Sequence, residues 1–301
     1  MIVVTTPTGS IGRQVLAKLL GSGVRIRVIA RDPSRLPQQV LDRVEVIKGS
    51  HGDAEVVDRA FEGADAVFWL PPPNPYAESL EAVYVDFARP ACEALRRCGV
   101  GHVVGISALG RGTPMASRAG LVTASLAMDD QIAGTGVNYC ALSMPSFMDN
   151  LLRQVQSIRD RGVFFWPDKG NRKAPTCATR DIAEVASQLL TDLSWSGQGY
   201  RAVLGPEDLS QNDMARIMSE VLGRSVMHQE VPIEAFKTQL SAAGLSPAFV
   251  QGYADMMVAK AEGLDNAEPR TAENTTPTTF RHWCEDVLRP AVEQLGDASS
   301  T

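Results

Sequence analysis

Short runs of β-branched and other apolar residues alternate with helical patterns through the first half of the chain. Ile11, Val15 and Leu19, for example, recur at the spacing that places apolar side chains on one face of a helix. Strands that alternate with helices predict right-handed crossovers and a parallel sheet covered on both faces. We therefore expect an α/β fold built on a doubly wound parallel-sheet Rossmann domain. The predicted strands are 2–5, 25–30, 44–47, 66–70, 102–106 and 138–142.

The pattern changes after Pro145, where the sequence becomes mainly helical with a few short strands. We expect a Rossmann domain at 1–150, a smaller and mainly helical substrate lobe at 151–295 with segments that return to the sheet, and a flexible tail at 296–301. Because ligands of such folds bind beyond the carboxyl ends of the strands, this lobe is expected to cover that edge. The predicted helices are 147–161, 180–192, 210–222, 233–243, 247–263 and 279–294.

The composition is that of a globular protein. Of the 301 residues, 44% are hydrophobic and 21% are charged, and the net charge is -6. This balance argues against a disordered chain and against the basic surface that nucleic-acid binding requires. No apolar stretch approaches the roughly 20 residues of a membrane-spanning helix, and no signal peptide is expected. We expect a cytoplasmic monomer or homodimer that binds neither membrane nor nucleic acid.

Cysteines and histidines form no metal-binding pattern. The five cysteines are odd in number and scattered without a C-x-x-C pair, so reduced thiols are expected. The four histidines show no H-x-x-x-H spacing. We expect no metal site.

A glycine-rich turn follows the first predicted strand, in the sequence Thr6-Pro7-Thr8-Gly9-Ser10-Ile11-Gly12. In a dinucleotide fingerprint, Gly9 would let the backbone approach a pyrophosphate, and Gly12 would let the helix pack closely on the first strand. Thr6 stands where the first glycine is usual, which is expected to affect the tightness of the turn. The hydroxyl groups of Thr6, Thr8 and Ser10 add donors. We expect a working nucleotide site, with an ordinary structural turn as the alternative.

The end of the second predicted strand indicates the preferred cofactor. NAD-selective Rossmann folds usually place an acidic residue there for the ribose hydroxyls, whereas arginine accommodates the 2′-phosphate of NADP. Arg31 follows this strand and Arg35 lies one turn later, and a planar guanidinium fits a phosphate with two hydrogen bonds. Asp32 is acidic, but beside Pro33 it is expected to cap the turn. The sequence favours NADP(H) over NAD(H).

Segments along nearly the whole sequence occur in the order and spacing of one protein family. The chain resembles the NmrA-like branch of the atypical short-chain dehydrogenases/reductases. This resemblance implies a nicotinamide cofactor of the NADP(H) type and a small-molecule substrate. The matching segments are VTTPTGSIGRQVLAKLL, VIARDPSRL, VEVIKGSHGDAEVVDRAFEGADAVFWLPPP, GVGHVVGISALG, GTGVNYCALSMPSFMDNLL, TRDIAEVASQLLTD, GPEDLSQNDMARIMSEVLG and TPTTFRHWCEDV.

The resemblance also implies where the parts of the cofactor would lie. Thr8, Ser10 and Ile11 would line the pyrophosphate, and Arg31 the 2′-phosphate. Ser50 and His51 would lie near adenine, and Leu70, Pro71 and Pro72 under the ribose. Ser107 and Ala108 would lie near the nicotinamide, with Pro145, Ser146 and Phe147 on its other side. The fingerprint and the arginine pattern described above add Thr6, Gly9, Gly12 and Arg35 to the candidate cofactor-binding residues.

The proton relay of short-chain reductases is absent from the sequence. Those enzymes use Tyr-x-x-x-Lys, in which the lysine lowers the pKa of the tyrosine and the tyrosine passes a proton to the substrate oxygen. None of the five tyrosines has a lysine four residues later. Counting back from GTGVNYCALSMP, the lysine position of the family falls near Ser125 and the tyrosine position near Leu121.

Two residues are candidates for catalysis. Ser107, in GISALG, is expected to hydrogen-bond the substrate or the ribose, with a plain strand-end turn as the alternative. A nucleophilic role is disfavoured, because the second glycine of a G-x-S-x-G elbow comes one residue late and no ordered acid and histidine follow. Tyr76 comes after the prolines 71–73, which cannot continue a strand. It is expected in a rigid loop from which it could face the pocket.

Three functions are compatible with these residues. The first is an NADPH-dependent reductase of a small aromatic, quinone-like or conjugated carbonyl substrate, which delocalises charge and takes its proton from water. The second is a non-catalytic NADP(H) sensor with a protein partner, which the missing relay favours. The third is an isomerase or cyclase that uses the same pocket without net redox change.

Overall fold

The computed structural model describes residues 1–297, which form two compact units whose segments alternate along the chain. Unit 1 consists of Met1–Ala108, Leu121–Ser143 and Ile182–Ala202, and unit 2 of Leu109–Gly120, Met144–Asp181 and the chain from Val203 onwards. A domain boundary at residue 150 stays a prediction. Of the expected tail at 296–301, residues 298–301 lie outside the described residues.

The secondary structure follows the predicted alternation in the first half of the chain. No helix in residues 1–297 is long and apolar enough to cross a membrane. The strands are β1 (Ile2–Val4), β2 (Ile26–Ala30), β3 (Glu45–Lys48), β4 (Ala66–Trp69), β5 (His102–Ala108), β6 (Asn138–Met144), β7 (Ser146–Phe147), β8 (Val163–Trp166), β9 (Ala174–Cys177), β10 (Gln198–Ala202), β11 (Asp208–Leu209) and β12 (Met227–Glu230). The α-helices are α1 (Gly12–Gly21), α2 (Gln38–Leu41), α3 (Ala54–Phe61), α4 (Phe87–Cys98), α5 (Leu121–Ala133), α6 (Val155–Arg161), α7 (Thr179–Thr191), α8 (Gln211–Leu222), α9 (Ile233–Ala242), α10 (Pro247–Ala261), α11 (Phe280–Trp283) and α12 (Arg289–Asp297).

Seven strands form the central sheet, in the order β10-β6-β5-β4-β1-β2-β3. β1 pairs in parallel with both β2 and β4, and the pairs β2–β3, β4–β5 and β6–β10 are parallel as well. The strand order reverses beside β1, and doubly wound sheets bind ligands at such a switch point. The predicted Rossmann-type α/β fold is confirmed.

Apolar side chains of the sheet and its helices make the core of unit 1. β4 is buried at all four positions, as expected of a central parallel strand covered on both faces. Phe61 of α3, Trp69 of β4 and Leu95 of α4 are buried in one cluster. This core fixes the carboxyl ends of β1, β4 and β5, after which the candidate site residues follow.

Unit 2 is mainly helical and has its own core. Its strands make two small sheets, with orders β11-β9-β7 and β12-β8. Phe164 of β8, Phe280 of α11 and Leu288 are fully buried in one cluster. α8 begins with a capping box, in which Ser210 Oγ accepts from Asp213 N and the Asp213 carboxylate accepts from Ser210 N.

Two π-helical turns occur next to prolines. The turn Ala82–Asp86 precedes α4, which contains Pro90, and the turn Cys284–Leu288 precedes α12, which contains Pro290. Proline lacks an N–H group and its ring clashes with the carbonyl four residues earlier, so a wider turn at that point relieves the clash. In unit 1 the wide turn is followed by Phe87, whose ring packs in the candidate site.

Candidate active site

The turn after β1 adopts a backbone conformation that glycine usually provides. Thr6 has a φ of 47°, and it is the one non-glycine residue with positive φ in the described chain. A β-branched residue in this region costs on the order of 1–3 kcal/mol and persists only where the surroundings impose it. Gly9 N donates to Thr6 O at 3.0 Å, which closes the turn. Threonine therefore keeps the shape of a glycine turn at a cost in backbone energy.

Gly9 and Gly12 leave little room for a side chain beside this turn. A Cβ atom at Gly12 would lie 2.1 Å from Thr6 O, and one at Gly9 would lie 3.3 Å from the same oxygen. Gly12 begins α1, whose first N–H groups have no partner within the helix. The backbone of the loop and the start of α1 are therefore packed as closely as an anion site at a helix N-terminus requires.

Two neighbouring threonines use their hydroxyl groups differently. Thr5 Oγ1 donates to Phe68 O at 2.9 Å and accepts from Leu70 N at 3.0 Å, so it ties the end of β1 to the end of β4. Thr6 Oγ1 is buried and has no hydrogen-bond partner in the described chain. A buried hydroxyl without a partner is unfavourable, and a ligand oxygen beside the loop would satisfy it. The loop thus fits a pyrophosphate group.

The charged residues Arg31, Asp32 and Arg35 follow the end of β2. Arg31 and Arg35 are exposed and form no salt bridge within residues 1–297. The Asp32 carboxylate accepts from Ser34 N at 3.1 Å and from Ser34 Oγ at 2.6 Å, and these bonds lower the pKa of Asp32. The expected capping role of Asp32 is confirmed. Two unpaired guanidinium groups beside an engaged carboxylate suit a 2′-phosphate.

His51 links the loop after β3 to the end of β4. Its Nε2 lies 3.0 Å from Leu70 O, and its ring meets Trp69 and Phe87 edge-on at centroid distances of 5.1 Å and 4.8 Å. Burial lowers the pKa of His51 to about 4, so the ring is neutral near neutral pH and donates to the carbonyl. Ser50 Oγ accepts from Gly52 N at 3.2 Å. These contacts are structural, and a contact of either side chain with adenine stays a prediction.

The loop after β4 holds the residues expected beneath the ribose, together with Tyr76. The N–H and C=O groups of Leu70 are bonded to Thr5 and His51, Pro71 is buried and Pro72 is half-buried. Tyr76 is 68% exposed, and its phenol hydroxyl has no hydrogen bond within residues 1–297. A catalytic role for Tyr76 stays a prediction, with no partner group in the structure to activate the hydroxyl.

Ser107 belongs to a buried hydrogen-bond network at the carboxyl end of β5, just before the half-buried Ala108. Its Oγ donates to Asp129 Oδ2 of α5 at 2.5 Å and lies 3.3 Å from Ser125 Oγ. The other carboxylate oxygen, Asp129 Oδ1, accepts from Tyr139 Oη of β6 at 2.6 Å. These four side chains are all buried. No histidine takes part in these bonds, so nothing here resembles the base of a hydrolase triad.

The network includes residues of α5, the helix on which the sequence places the absent relay. Leu121, Ser125 and Asp129 recur every four residues on α5, so they lie on one helix face. Ser125, near the predicted lysine position, contributes a hydroxyl group, and Asp129 lies one turn further along. Gly105 makes room for the network, because a Cβ atom there would lie 2.3 Å from Tyr139 Oη.

The last three predicted cofactor residues belong to unit 2. Pro145 is buried, while Ser146 and Phe147 form β7 and line a small cavity of about 40 Å³. The same cavity is lined by the ion pairs Lys260–Asp265, at 2.5 Å, and Arg172–Asp168, at 2.6 Å. Asp265 Oδ1 and Arg172 Nε are buried without partners in the described chain. The cavity is large enough for ordered water or a small polar group.

A second cavity in unit 2 is larger, with a volume of about 450 Å³. It shares Trp166 and Met257 with the small cavity. Its walls contain two arginines, several aromatic rings and no carboxylate. Its lining residues are Asn150, Arg153, Gln154, Arg161, Phe165, Trp166, Pro167, Val231, Phe236, Gln239, Tyr253 and Met257.

Three residues of the site were not predicted from the sequence. The sequence places Thr5 only in a strand, and it predicts no role for Asp129 or Tyr139. The position of Asp129 carried a signal, since an acidic residue follows Leu121 and Ser125 at helical spacing on a helix with a buried face. Tyr139 carried none, because its contact depends on the pairing of β5 with β6.

Two family models and several known proteins match this chain. The NAD(P)H-binding family model matches residues 7–193 and the NmrA-like family model matches residues 122–283. A (4-alkanoyl-5-oxo-2,5-dihydrofuran-3-yl)methyl phosphate reductase from Streptomyces griseus is 32% identical over 94% of this chain and 96% of its own length. An NAD(P)H azoreductase from Xenophilus azovorans is 28% identical over 81% of this chain and 82% of its own.

A solved structure shares the fold. The triphenylmethane reductase of Citrobacter sp., complexed with NADP(H), matches 98% of this chain and 99% of its own with a TM-score of 0.77 at 21% identity.

These matches define the class of protein as an NAD(P)H-binding oxidoreductase, as expected from the sequence. The chain belongs to the NmrA-like family. The resemblance inferred from the sequence segments is confirmed, and the nicotinamide cofactor is confirmed at the level of NAD(P)H.

Proposed function

We propose that the chain is an NADPH-dependent reductase of a small aromatic, quinone-like or conjugated carbonyl substrate, which works without a Tyr-x-x-x-Lys pair. The observation that carries this proposal is the loop 6–12. There the Thr6 hydroxyl is buried without a partner in the described chain, and Gly12, at the start of α1, has no side chain that would clash with the Thr6 carbonyl oxygen. Family membership supports a nicotinamide cofactor at this loop.

Residues of the loop and of β2 would hold the phosphate groups. Thr8, Ser10 and the backbone of Gly9 would hold the pyrophosphate at the helix start. Arg31 would hold the 2′-phosphate, with Arg35 one turn away, because both guanidinium groups are unpaired in the described chain. The engaged carboxylate of Asp32 supports NADP(H) over NAD(H).

Ser107 is the group that we place against the substrate oxygen. When bound, NADPH supplies a hydride to the substrate. The Ser107 hydroxyl can turn from Asp129 Oδ2 towards a substrate oxygen, while Tyr139 continues to donate to Asp129 Oδ1. Hydrogen bonds to an oxygen that gains charge stabilise the transition state. Asp129 and Tyr139 are therefore positioning residues, and the proton that completes the reduction comes from water.

Substrates that spread negative charge over several atoms suit this arrangement, because the sequence has no Tyr-x-x-x-Lys pair to deliver a proton. The names of two relatives support this class. One reduces an oxo-dihydrofuran that carries an alkanoyl group, and the other is an azoreductase. A small unsaturated or aromatic substrate is thus the partner that we propose.

A second candidate function is a non-catalytic NADP(H) sensor that binds a protein partner. The missing relay favours it, since the predicted tyrosine and lysine positions fall near Leu121 and Ser125 on α5, and neither side chain can replace those groups. The cytoplasmic location and the state of the chain as a monomer or homodimer stay predictions under either function.

Turnover separates the two functions. Oxidation of NADPH is measured by absorbance with a panel of quinones, azo compounds and conjugated ketones, and turnover with at least one class is expected. Binding of both NADPH and NADP+ without turnover of any compound would overturn the reductase proposal.

Ser107→Ala is expected to lower kcat about tenfold with a smaller change in KM, since one hydrogen bond to the developing charge is lost. Ser187→Ala, at a buried serine of α7, is the control.

A further inference from the structure

The larger cavity of unit 2 has the size and walls of a small-molecule site. Its volume of about 450 Å³ falls within the range of roughly 300–1,000 Å³ that is usual for ligand pockets. Phe165, Trp166, Phe236 and Tyr253 supply aromatic surface. Phe236 and Tyr253 meet edge-on at 5.1 Å between ring centroids, which fixes this wall. A flat, apolar ring system would bury its faces here.

The charge of this cavity is positive, although the whole chain has a net charge of -6. Arg153 and Arg161 are its two charged lining residues, and no carboxylate lines it. Neither arginine forms a salt bridge within residues 1–297. Arg159, on the same helix as Arg161, does pair with Asp160, at 2.6 Å. The two cavity arginines thus keep their guanidinium groups for a ligand.

Contacts with the aromatic walls hold both arginines in place. The Arg161 guanidinium lies over the Phe165 ring at 5.4 Å from its centroid, which is a cation–π arrangement. The positive charge of Arg153 lies close to the Tyr253 phenol and opposes the rise in the pKa of Tyr253 that burial causes. Each guanidinium is therefore positioned beside an aromatic ring of the cavity.

The strand that carries Phe165 and Trp166 is fixed by a side chain of the same cavity. Gln154 Nε2 donates to Phe165 O at 3.0 Å, and Gln154 Oε1 accepts from Phe165 N at 2.8 Å. These two hydrogen bonds between the Gln154 side-chain amide and the Phe165 backbone fix the edge of β8. The aromatic wall is therefore formed before a ligand binds, which lowers the entropic cost of binding.

We propose that this cavity binds a flat aromatic or conjugated molecule that carries one anionic group, with Arg153 and Arg161 on the anion and the aromatic walls on the ring. Carboxylate, sulfonate and phosphate share the required chemistry, because each accepts the paired N–H groups of a guanidinium. The binding needs no turnover, so it stands apart from the proposed reductase activity.

Calorimetric titration with a matched pair of probes tests this proposal. 2-Naphthoate and 2-naphthamide have the same ring system, and they differ in charge. The protein without cofactor is expected to bind the naphthoate about tenfold more tightly, since charge-assisted bonds to guanidinium are worth more than neutral ones. Equal affinities for the two probes, or no binding of either one, would overturn the proposal.

Variants assign the binding to the cavity. Arg153→Gln and Arg161→Gln are each expected to weaken naphthoate binding about fivefold and to leave naphthamide unchanged. Arg159→Gln removes the same charge from α6 outside the cavity and is the control. Equal losses in all three variants would show binding by general charge and would overturn the proposal. If the parent protein binds naphthoate in this way and oxidises NADPH with no compound of the turnover panel, the proposed reductase function alone is overturned. Melting temperatures check that each variant is folded.

Discussion

Thr6 is the residue at which backbone and ligand requirements meet. Its φ of 47° is unfavourable for a β-branched residue, and its Oγ1 is buried without a partner in the described chain. Glycine would remove both costs. Two unfavourable features in one residue are typical of a functional position. We interpret Thr6 as a donor to the cofactor that also preserves the glycine-like turn.

Replacement of Thr6 separates these two effects. Thr6→Gly is expected to leave the free energy of unfolding unchanged or to raise it by about 1 kcal/mol, because relief of the strained φ outweighs the entropy of glycine. The same change should weaken NADPH binding, because Oγ1 is lost. Urea unfolding and calorimetry measure the two quantities.

Thr8→Gly is the control for Thr6→Gly, since Thr8 has no positive φ to relieve. It is expected to lower the free energy of unfolding by about 0.5–1 kcal/mol. If Thr6→Gly destabilises the protein as much as Thr8→Gly, the strain at Thr6 is not real.

Arg31 decides cofactor preference in this account. Arg31→Ala is expected to raise the Kd of NADPH by more than tenfold and to leave the Kd of NADH within about twofold, because only NADPH carries the 2′-phosphate. Arg25→Ala, at an exposed arginine before β2, is the control. Equal losses for NADPH and NADH, measured by calorimetry, would contradict the assignment.

Some residues of the site are predictable from local sequence and others are not. Asp32 precedes proline, and this local pattern is enough to predict its capping bond. The turn at Thr6 is likewise predictable from the glycines that follow it. Asp129 and Tyr139 meet Ser107 only after α5, β5 and β6 have packed together, and no local pattern encodes that packing.

At the level of secondary-structure elements, Gly105 of β5 leaves the space that the Tyr139 ring of β6 occupies. A Cβ atom at Gly105 would lie 2.3 Å from Tyr139 Oη and 2.9 Å from Tyr139 Cε2. The absence of a side chain on β5 therefore lets the phenol reach Asp129 on α5. Strand, strand and helix are held together by one buried polar network, which is rigid when each member is satisfied.

Gly105→Ala tests this match. It is expected to lower the free energy of unfolding by about 1–3 kcal/mol through overpacking. Tyr139→Phe in the same chain should recover part of this loss, because the closest atom is removed. Gly101→Ala is the control, since its Cβ would meet nothing closer than 3.4 Å. Strict additivity of Gly105→Ala and Tyr139→Phe in urea unfolding would contradict the contact.

The predicted elements of the first half lie close to those observed, because buried parallel strands are short apolar runs. The strand predicted at 66–70 is observed at Ala66–Trp69. The helix predicted at 147–161 begins as a 3-10 segment, Met148–Gln154, and becomes α6 only at Val155. The pair β8 and β12 was not predicted, since its strands are far apart in sequence and their pairing depends on long-range contacts.

At the scale of the whole molecule, the interleaving of the two units also exceeds what local patterns predict. Ile182–Ala202 returns to unit 1 and supplies β10. The sequence indicated a return to the sheet, and the choice of edge depends on the packing of β10 against β6. Contacts between distant segments also decide how the stability of the protein responds to pH.

His51 makes the stability of the fold depend on pH. Its pKa is about 4 in the folded protein, against 6.5 for the ordinary group. Below about pH 6.5 the unfolded chain takes up a proton that the folded protein does not, so the free energy of unfolding falls as pH falls towards about 4. The full loss is about 3 kcal/mol, and no loss from this group occurs above pH 6.5.

His51→Gln is expected to flatten this part of the stability profile, as measured by urea unfolding at a series of pH values. His282→Gln, at an exposed histidine, is the control. A His51→Gln protein with the slope of the parent between about pH 6.5 and about pH 4 would contradict a neutral, buried His51.

Hydride transfer from the cofactor to the substrate is tested most directly with NADPH that is deuterated at its reactive carbon. A conjugated ketone from the turnover panel is reduced by the protein, because its reduction places the hydride on carbon, where deuterium does not exchange with water, and the product is analysed by mass spectrometry. One deuterium in each product molecule and one NADP+ formed for each product are expected, as hydride transfer requires. A product without deuterium, or a bound cofactor that is never oxidised by any substrate, would contradict it.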